Sequence, residues 1–239
     1  MIYTIKKASF SYGNHKVIEI DSLSINEGKI YVLFGPNGSG KTTLLKILNG
    51  LLKIKKGIIN FEGISIDADN FKQIRNNTVY VHQNPFLLTG TVYDNVAYGL
   101  KLRKKDKNTI NKTVKEILEF IGLSGFENRK SKNLSDGEAK RVAIARALTL
   151  SPKVLLLDEP TANIDRESVD KIYGILKKIN EINKTTIIIS SHDTMFNKKI
   201  ADEILYMENG SILYPKPFLC TQEKVSQNYE GNSYLGIIQ

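Results

Sequence analysis

The stretch Gly35-Pro36-Asn37-Gly38-Ser39-Gly40-Lys41-Thr42 constrains this chain more than any other feature of it. Two glycines separated by four residues and followed at once by Lys and Thr let consecutive backbone N–H groups turn inward as an anion cradle. A helix beginning there adds the positive end of its dipole. Lys41 is then placed to reach terminal phosphates, and the Thr42 hydroxyl to ligate Mg²⁺. The flanks agree: the apolar run Ile30-Tyr31-Val32-Leu33-Phe34 precedes the loop, and Leu44, Leu45, Leu48 and Leu51 follow at helical spacing. Strand, glycine-rich loop and helix in that order call for a sheet whose carboxyl edge is open to a phosphorylated ligand.

A second apolar run, Val154-Leu155-Leu156-Leu157, ends in Asp158-Glu159, so a buried strand delivers two carboxylates to the same edge. Asp158 suits the magnesium shell, and Glu159 can orient the water that attacks a terminal phosphate. Thr186-Ile187-Ile188-Ile189 reads as another doubly buried strand of a parallel sheet. Before this core, residues 1–34 alternate as short antiparallel strands with a turn at Ser11-Tyr12-Gly13-Asn14. Between about 86 and 150 strand signals nearly vanish, and helical spacing takes over at Ile117, Phe120 and Ile121 and again at Ala139, Val142, Ala143 and Ala147. Ser135 and Glu138 have capping-box spacing at the start of that last helix. Glu208-Asn209-Gly210 between two apolar runs predicts a hairpin through a type I′ turn. From Pro215 onward the sequence is polar and irregular, so 215–239 is expected to be a loosely packed tail after a domain spanning 1–214.

Composition narrows the class. In 239 residues, 41% hydrophobic and 25% charged side chains are ordinary for a folded globular chain. A single cysteine, Cys220, excludes a disulfide framework or a multi-thiolate metal site. No apolar run is long enough to span a bilayer, and the net charge of +9 invites an anionic partner.

With these residues in place the chain resembles the nucleotide-binding subunits of ABC transporters. Leu134-Ser135-Asp136-Gly137-Glu138 resembles that family's signature loop, usually Leu-Ser-Gly-Gly-Gln, and the resemblance covers residues 1 to about 214. It implies an α/β fold: a P-loop NTPase core with a parallel sheet, an N-terminal antiparallel β subdomain and an inserted helical subdomain. It also implies ATP and Mg²⁺ as ligands, with Gly35, Pro36, Asn37, Gly38, Ser39, Gly40, Lys41, Thr42 and Thr43 around the phosphates and Tyr12 stacked on adenine. Gln83, after Val79-Tyr80-Val81-His82, would join Thr42 and Asp158 at the metal; Glu159, His192 and Lys41 would be catalytic. Ser135 and Gly137 would reach the γ-phosphate held by a second copy, and Asp165 would lie in the loop that crosses between copies. Asp136 replaces a glycine; a carboxylate is unfavourable beside phosphate unless it turns outward, and slower turnover is the expected cost.

One cassette without a membrane span implies the stand-alone ATPase of a multi-subunit importer at the cytoplasmic face of the membrane. Its partners would be a permease docked on Asn84–Leu100, a second copy of the chain and, indirectly, a solute-binding protein. The segment Thr91–Leu100 and the Glu-ended signature look most like importers of tungstate, molybdate or phosphate, with tungstate preferred and an importer of another solute as the alternative. Nucleic-acid maintenance ATPases share the core, but 84–134 carries no heptads for a long coiled coil, and a purely regulatory cassette would lack Glu159 or His192. The basic runs Lys53, Lys55, Lys56 and Lys101, Arg103, Lys104, Lys105, Lys107 read as solvated faces, next as surfaces for anionic lipid, so no nucleic-acid partner is expected.

Overall fold

A computed structural model describes residues 1–193 and 198–213; the expected tail and Cys220 lie outside the described residues. The chain opens with β1 (Tyr3–Tyr12) and β2 (His15–Ile25), joined by a two-residue turn at Gly13-Asn14. These strands are long rather than short. β1 keeps its inward face, Tyr3, Ile5, Ala8 and Phe10, only because an irregularity at Lys6–Ser9 resets the alternation. Lys7 there has φ 48°, and its carbonyl lies so close to Gly57 that any Cβ on Gly57 would sit 2.1 Å from it. The first β3 (Ile30–Phe34) runs into α1 (Lys41–Leu48), then β4 (Lys56–Phe61) pairs with the free edge of β1 and β5 (Ile64–Ser65) with β4. The antiparallel sheet therefore has the order β2-β1-β4-β5, two strands more than the sequence suggested. Helix α1 stops earlier than its leucine spacing implied: Gly50 takes φ 69°, and Leu51 lies beyond the helix and exposed.

After α2 (Phe71–Asn77), β6 (Thr78–Val81) is followed by α3 (Val92–Leu102), α4 (Lys107–Phe120), a short 3₁₀ turn at Ser131–Asn133 and α5 (Asp136–Leu148). Asp106 caps α4, and α3 and α5 both begin with complete capping boxes, Thr91 with Asp94 and Ser135 with Glu138. In α4 the buried stripe is Ile110, Val114, Leu118, while Ile117 and Phe120 only flank it. Then come β7 (Val154–Asp158), α6 (Arg166–Asn183), β8 (Thr186–Ser191), β9 (Glu203–Glu208) and β10 (Ser211–Leu213). The second sheet has the order β10-β9-β3-β8-β7-β6, parallel throughout except for β10.

That parallel sheet separates two cores by simple alternation. Tyr31 and Leu33 of β3, Leu156 of β7 and Ile188 of β8 face α1 and the antiparallel sheet. Val32, Leu155, Leu157, Ile187 and Ile189 face α3 to α6. With burial worth about 1.5–3 kcal/mol per large aliphatic side chain, both faces clamp the strands and fix where their carboxyl ends finish. No helix among the described residues is long and apolar enough to cross a membrane.

The terminal hairpin takes part in the site. Asn209 and Gly210 have φ 47° and 81°, as a type I′ turn requires. Gly210 donates its N–H to the Ser39 carbonyl at 3.0 Å, and its own carbonyl accepts from Glu19 N–H at 2.9 Å, wedging the turn between the phosphate loop and β2. A Cβ on Gly210 would lie 2.3 Å from the Val17 carbonyl oxygen. Gly210→Val should therefore lower stability by about 2–4 kcal/mol and the melting temperature by about 5–12 °C. A thermal melt unchanged to within 2 °C or so would show that the turn bears no such constraint.

Candidate active site

Two glycines of the loop are required by contact as well as by conformation. A Cβ on Gly35 would lie 2.0 Å from the Met207 carbonyl oxygen of β9. Gly40, with φ 102°, caps α1, and a Cβ there would meet the Val17 carbonyl and the Met207 methyl, both at 2.9 Å. The loop is thus pressed against the hairpin on one side, while Pro36, Asn37 and Gly38 face solvent. Ser39 Oγ is buried inside it, with no hydrogen-bond partner among the described residues. Lys41 is buried and its ammonium donates to the Gly35 and Pro36 carbonyls at 2.7 and 2.9 Å. Burial pulls its pKa down, against the attraction of Glu159 and Asp158. Thr43 is buried in the first turn of α1.

Thr42 points the other way. Its hydroxyl donates to both carboxylate oxygens of Asp158, at 3.0 and 2.9 Å. Asp158 closes β7 and is only 4% exposed, so its charge needs donors. It has two more: Ser190 Oγ at 2.6 Å and the Tyr80 hydroxyl at 2.9 Å. Strand register explains both. Asp158 pairs with Ser190 of β8, and Tyr80 of β6 lies beside Leu156, two residues back on the same face of β7. Burial, and then the neighbouring carboxylate, push the Tyr80 phenol far above its ordinary pKa, so it remains a donor. Nothing in the spacing of the motifs pointed to Tyr80 or Ser190.

Glu159 begins the next loop with φ 43°, a left-handed backbone unusual for a side chain of this kind. That backbone is held from both sides. Its N–H donates to the Ser190 carbonyl and hydroxyl at 3.1 and 2.9 Å, and its carbonyl accepts from Lys140 Nζ of α5 at 3.2 Å. Lys140 is buried and its pKa is lowered by desolvation, offset by Asp136 and Glu159. The Glu159 carboxylate lies 3.2 Å from His192 Nδ1 and accepts from Gln83 Nε2 at 3.4 Å. Gln83 thus joins the glutamate side of the cluster, whereas Thr42 and Asp158 form the other.

The remaining predicted residues stand apart. Tyr12 ends β1 half-exposed, edge-on to Phe10 at 4.8 Å. Ser135 caps α5, and Glu138, besides closing the capping box, pairs with Arg129 at 3.0 Å. Gly137 packs against the first turn of α6, where a Cβ would lie 2.3 Å from Ser168 Oγ, so its glycine identity has a packing reason as well. Asp136 is exposed. Asp165 caps α6, and the two hydrogen bonds it accepts from Ser168 lower its pKa.

Chemically, a cradle of N–H groups, an ammonium and a hydroxyl–carboxylate pair lie beside a carboxylate flanked by imidazole and amide. The oxygen pair of Thr42 and Asp158 fits a hard cation that takes one carboxylate from protein and the rest of its shell from phosphates and water. Among the described residues no group of three or more His, Cys, Asp or Glu could hold a metal ion.

Comparison with known proteins gives the same picture. The family model described as ABC transporter matches residues 18–162. The tungstate uptake system ATP-binding protein TupC of Peptoclostridium acidaminophilum is 38% identical over 213 residues, 89% of this chain and 97% of that protein. Relatives named for methionine import (Clostridioides difficile) and arginine transport (Bacillus subtilis) are 37% and 34% identical. Among solved structures, cbiO1 of Clostridium perfringens, part of the ABC transporter complex cbiONQ, superposes with a TM-score of 0.84 at 31% identity over 90% of this chain and 87% of its own. The ATP-binding cassette MJ0796, a dimer in a post-hydrolysis state bound to ADP and Pi, gives 0.81 at 29% identity over 90% and 98%.

The donor count at Asp158 generates a direct check. Ser190→Ala removes a hydrogen bond from a buried charge and from the Glu159 N–H, and should cost about 1.5–3 kcal/mol in urea unfolding with an unchanged slope. A loss below about 0.5 kcal/mol would mean that the remaining donors suffice.

Proposed function

The chain belongs to the ABC transporter family of ATP-binding proteins, and from that premise we propose that it is the subunit whose ATP hydrolysis drives a multi-subunit importer. The carrying observation is the position of the Glu159 carboxylate, held by His192 and Gln83 one residue beyond the Asp158–Thr42 pair and within electrostatic reach of Lys41.

Each residue then has a task. The loop N–H groups and Lys41 bind the β- and γ-phosphates, Lys41 exchanging the Gly35 and Pro36 carbonyls for phosphate oxygens. Thr42 and Asp158, with Gln83 nearby, would hold Mg²⁺, which when bound supplies charge neutralisation to the phosphate oxygens. Glu159 orients the attacking water and accepts its proton, and His192 steadies the carboxylate from the open side. As water bonds to the γ-phosphorus, the bond to the β-phosphate oxygen breaks and inorganic phosphate and ADP leave. Tyr12, at the exposed end of β1, offers a ring for adenine.

Ser135 and Gly137 are held by α5 and α6 rather than by the phosphate loop, and among the described residues Pro36, Asn37 and Gly38 of the loop stay open to solvent. A second copy covers them: two chains sandwich two nucleotides, each loop at 35–42 facing the partner's helix N-terminus at Ser135, with Asp165 at the crossing. Asp136 is exposed and so has room to turn away from the partner's phosphate.

The permease seat is a groove of about 400 Å³ between the β6 edge, α3 and α5. Its rim carries Phe86 and Leu102, 79% and 66% exposed, together with Tyr98. Apolar side chains this open beside Arg75, Arg103 and Arg146 suit an amphipathic helix from a membrane protein. A subunit seated there would work at the cytoplasmic face of the membrane. For the solute we take an oxyanion, tungstate first, on the likeness to TupC; solute does not touch this subunit, so uptake by the assembled transporter decides it.

Glu159→Gln should lower hydrolysis about 10²- to 10⁴-fold while ATP binding persists and a dimer accumulates in ATP. Lys41→Ala should abolish ATP binding, read by equilibrium dialysis. Unaltered hydrolysis in the first or unaltered binding in the second overturns the assignment of that residue. Tungstate, molybdate and phosphate uptake by cells bearing the intact transporter tests the solute, and uptake of methionine alone would refute the oxyanion.

A further inference from the structure

Four consecutive residues, Val79, Tyr80, Val81 and His82, line the proposed permease groove. Side chains alternate along a strand, so four in a row means that the strand edge itself faces the groove. Among the described residues β6 is the last strand of its sheet, paired on one side only, with β7. Val79 and Val81 pack into the core beneath α3 and α5, but Tyr80 packs into the opposite core, toward α1. There its hydroxyl reaches the Asp158 carboxylate at 2.9 Å, while its ring meets the His82 ring edge-on at 4.6 Å. Tyr80 therefore has its backbone at the groove and its oxygen on the carboxylate that also accepts from Thr42.

We infer that Tyr80 is a positioning residue that ties the metal-binding carboxylate to the groove-facing strand edge, so that a partner seated in the groove is felt at Asp158 through β6. This rests on the reading of Thr42 and Asp158 as the Mg²⁺ pair. It gives the groove a second connection to the site, separate from Gln83, which reaches Glu159 instead. The physical basis is short. β6 has ladder bonds on one flank only, so its edge shifts more easily than any inner strand, and the hydroxyl moves with it. A displaced Tyr80 takes one of three hydroxyl donors from a buried charge and leaves the oxygen it held without a fixed orientation toward a cation.

Coupling is reciprocal, so the link is visible from the nucleotide side without a permease. The test compares the full chain carrying Glu159→Gln, which holds ATP, with the same chain carrying Tyr80→Phe as well; the ring is kept and one oxygen is lost. Hydrogen exchange is followed with and without Mg·ATP in peptides covering 35–48 and 78–82. Mg·ATP should slow exchange in both segments of the parent. In the Tyr80→Phe chain the 35–48 protection should persist while that of 78–82 falls about fivefold or more. Half-saturating Mg²⁺ for binding of a fluorescent ATP analogue should rise about three- to tenfold. Unchanged protection of 78–82 overturns the tie, and an unchanged Mg²⁺ midpoint overturns the positioning role. Absence of protection at 35–48 in the parent would instead refute the nucleotide site on which the inference rests.

Discussion

A buried carboxylate held by three hydroxyls is the interaction on which this structure turns. Asp158 is almost entirely shielded from water, and an unpaired charge in such a place costs several kcal/mol. Thr42 comes from α1, Tyr80 from β6 and Ser190 from β8, so satisfying one charge fixes a helix and two strands relative to β7. Charge-assisted hydrogen bonds are roughly twice as strong as neutral ones, and these three converge where the parallel strands end. The arrangement explains why the loop at 35–42 and the β7 carboxyl end form one site although more than a hundred residues separate them.

Next to that anchor sits a residue under tension. Glu159 keeps a left-handed backbone because Ser190 grips its N–H and Lys140 its carbonyl. Ser190 therefore serves both carboxylates, donating to one and accepting from the backbone of the other. Lys140 adds a path from α5, which Ser135 caps, to the turn that aims Glu159. In the proposed two-copy arrangement the helix that covers the partner's phosphates is thus also the helix that fixes its own glutamate.

Much of this was legible in the residue order. The glycine loop, the apolar strands ending in Asp158-Glu159, the Ser135 capping box and the Asn209-Gly210 turn each have a local cause that spacing reveals. What escaped had non-local causes. Tyr80 in an extended run reads as strand propensity, and only register across β7 turns it into a carboxylate donor. Gly210 is legible as a turn residue, but its tie to Ser39 depends on β9 lying beside β3. The irregularity at Lys7 breaks the alternation that would have joined Tyr3, Ile5, Ala8 and Phe10 into one strand, and β4 and β5 hid behind it. The α1 leucines overran the helix because spacing does not see the positive φ at Gly50.

In the proposed sandwich the loop at 35–42 is completed by the Ser135 end of another copy. Introducing Asn37→Cys and Ser135→Cys into a chain whose native Cys220 is replaced by Ser tests this directly, with Glu159→Gln added to hold ATP. Under mild oxidation with Mg·ATP a covalent dimer should appear on a denaturing gel, and none without nucleotide. A chain that stays monomeric with Mg·ATP, or that cross-links equally in its absence, would contradict the sandwich.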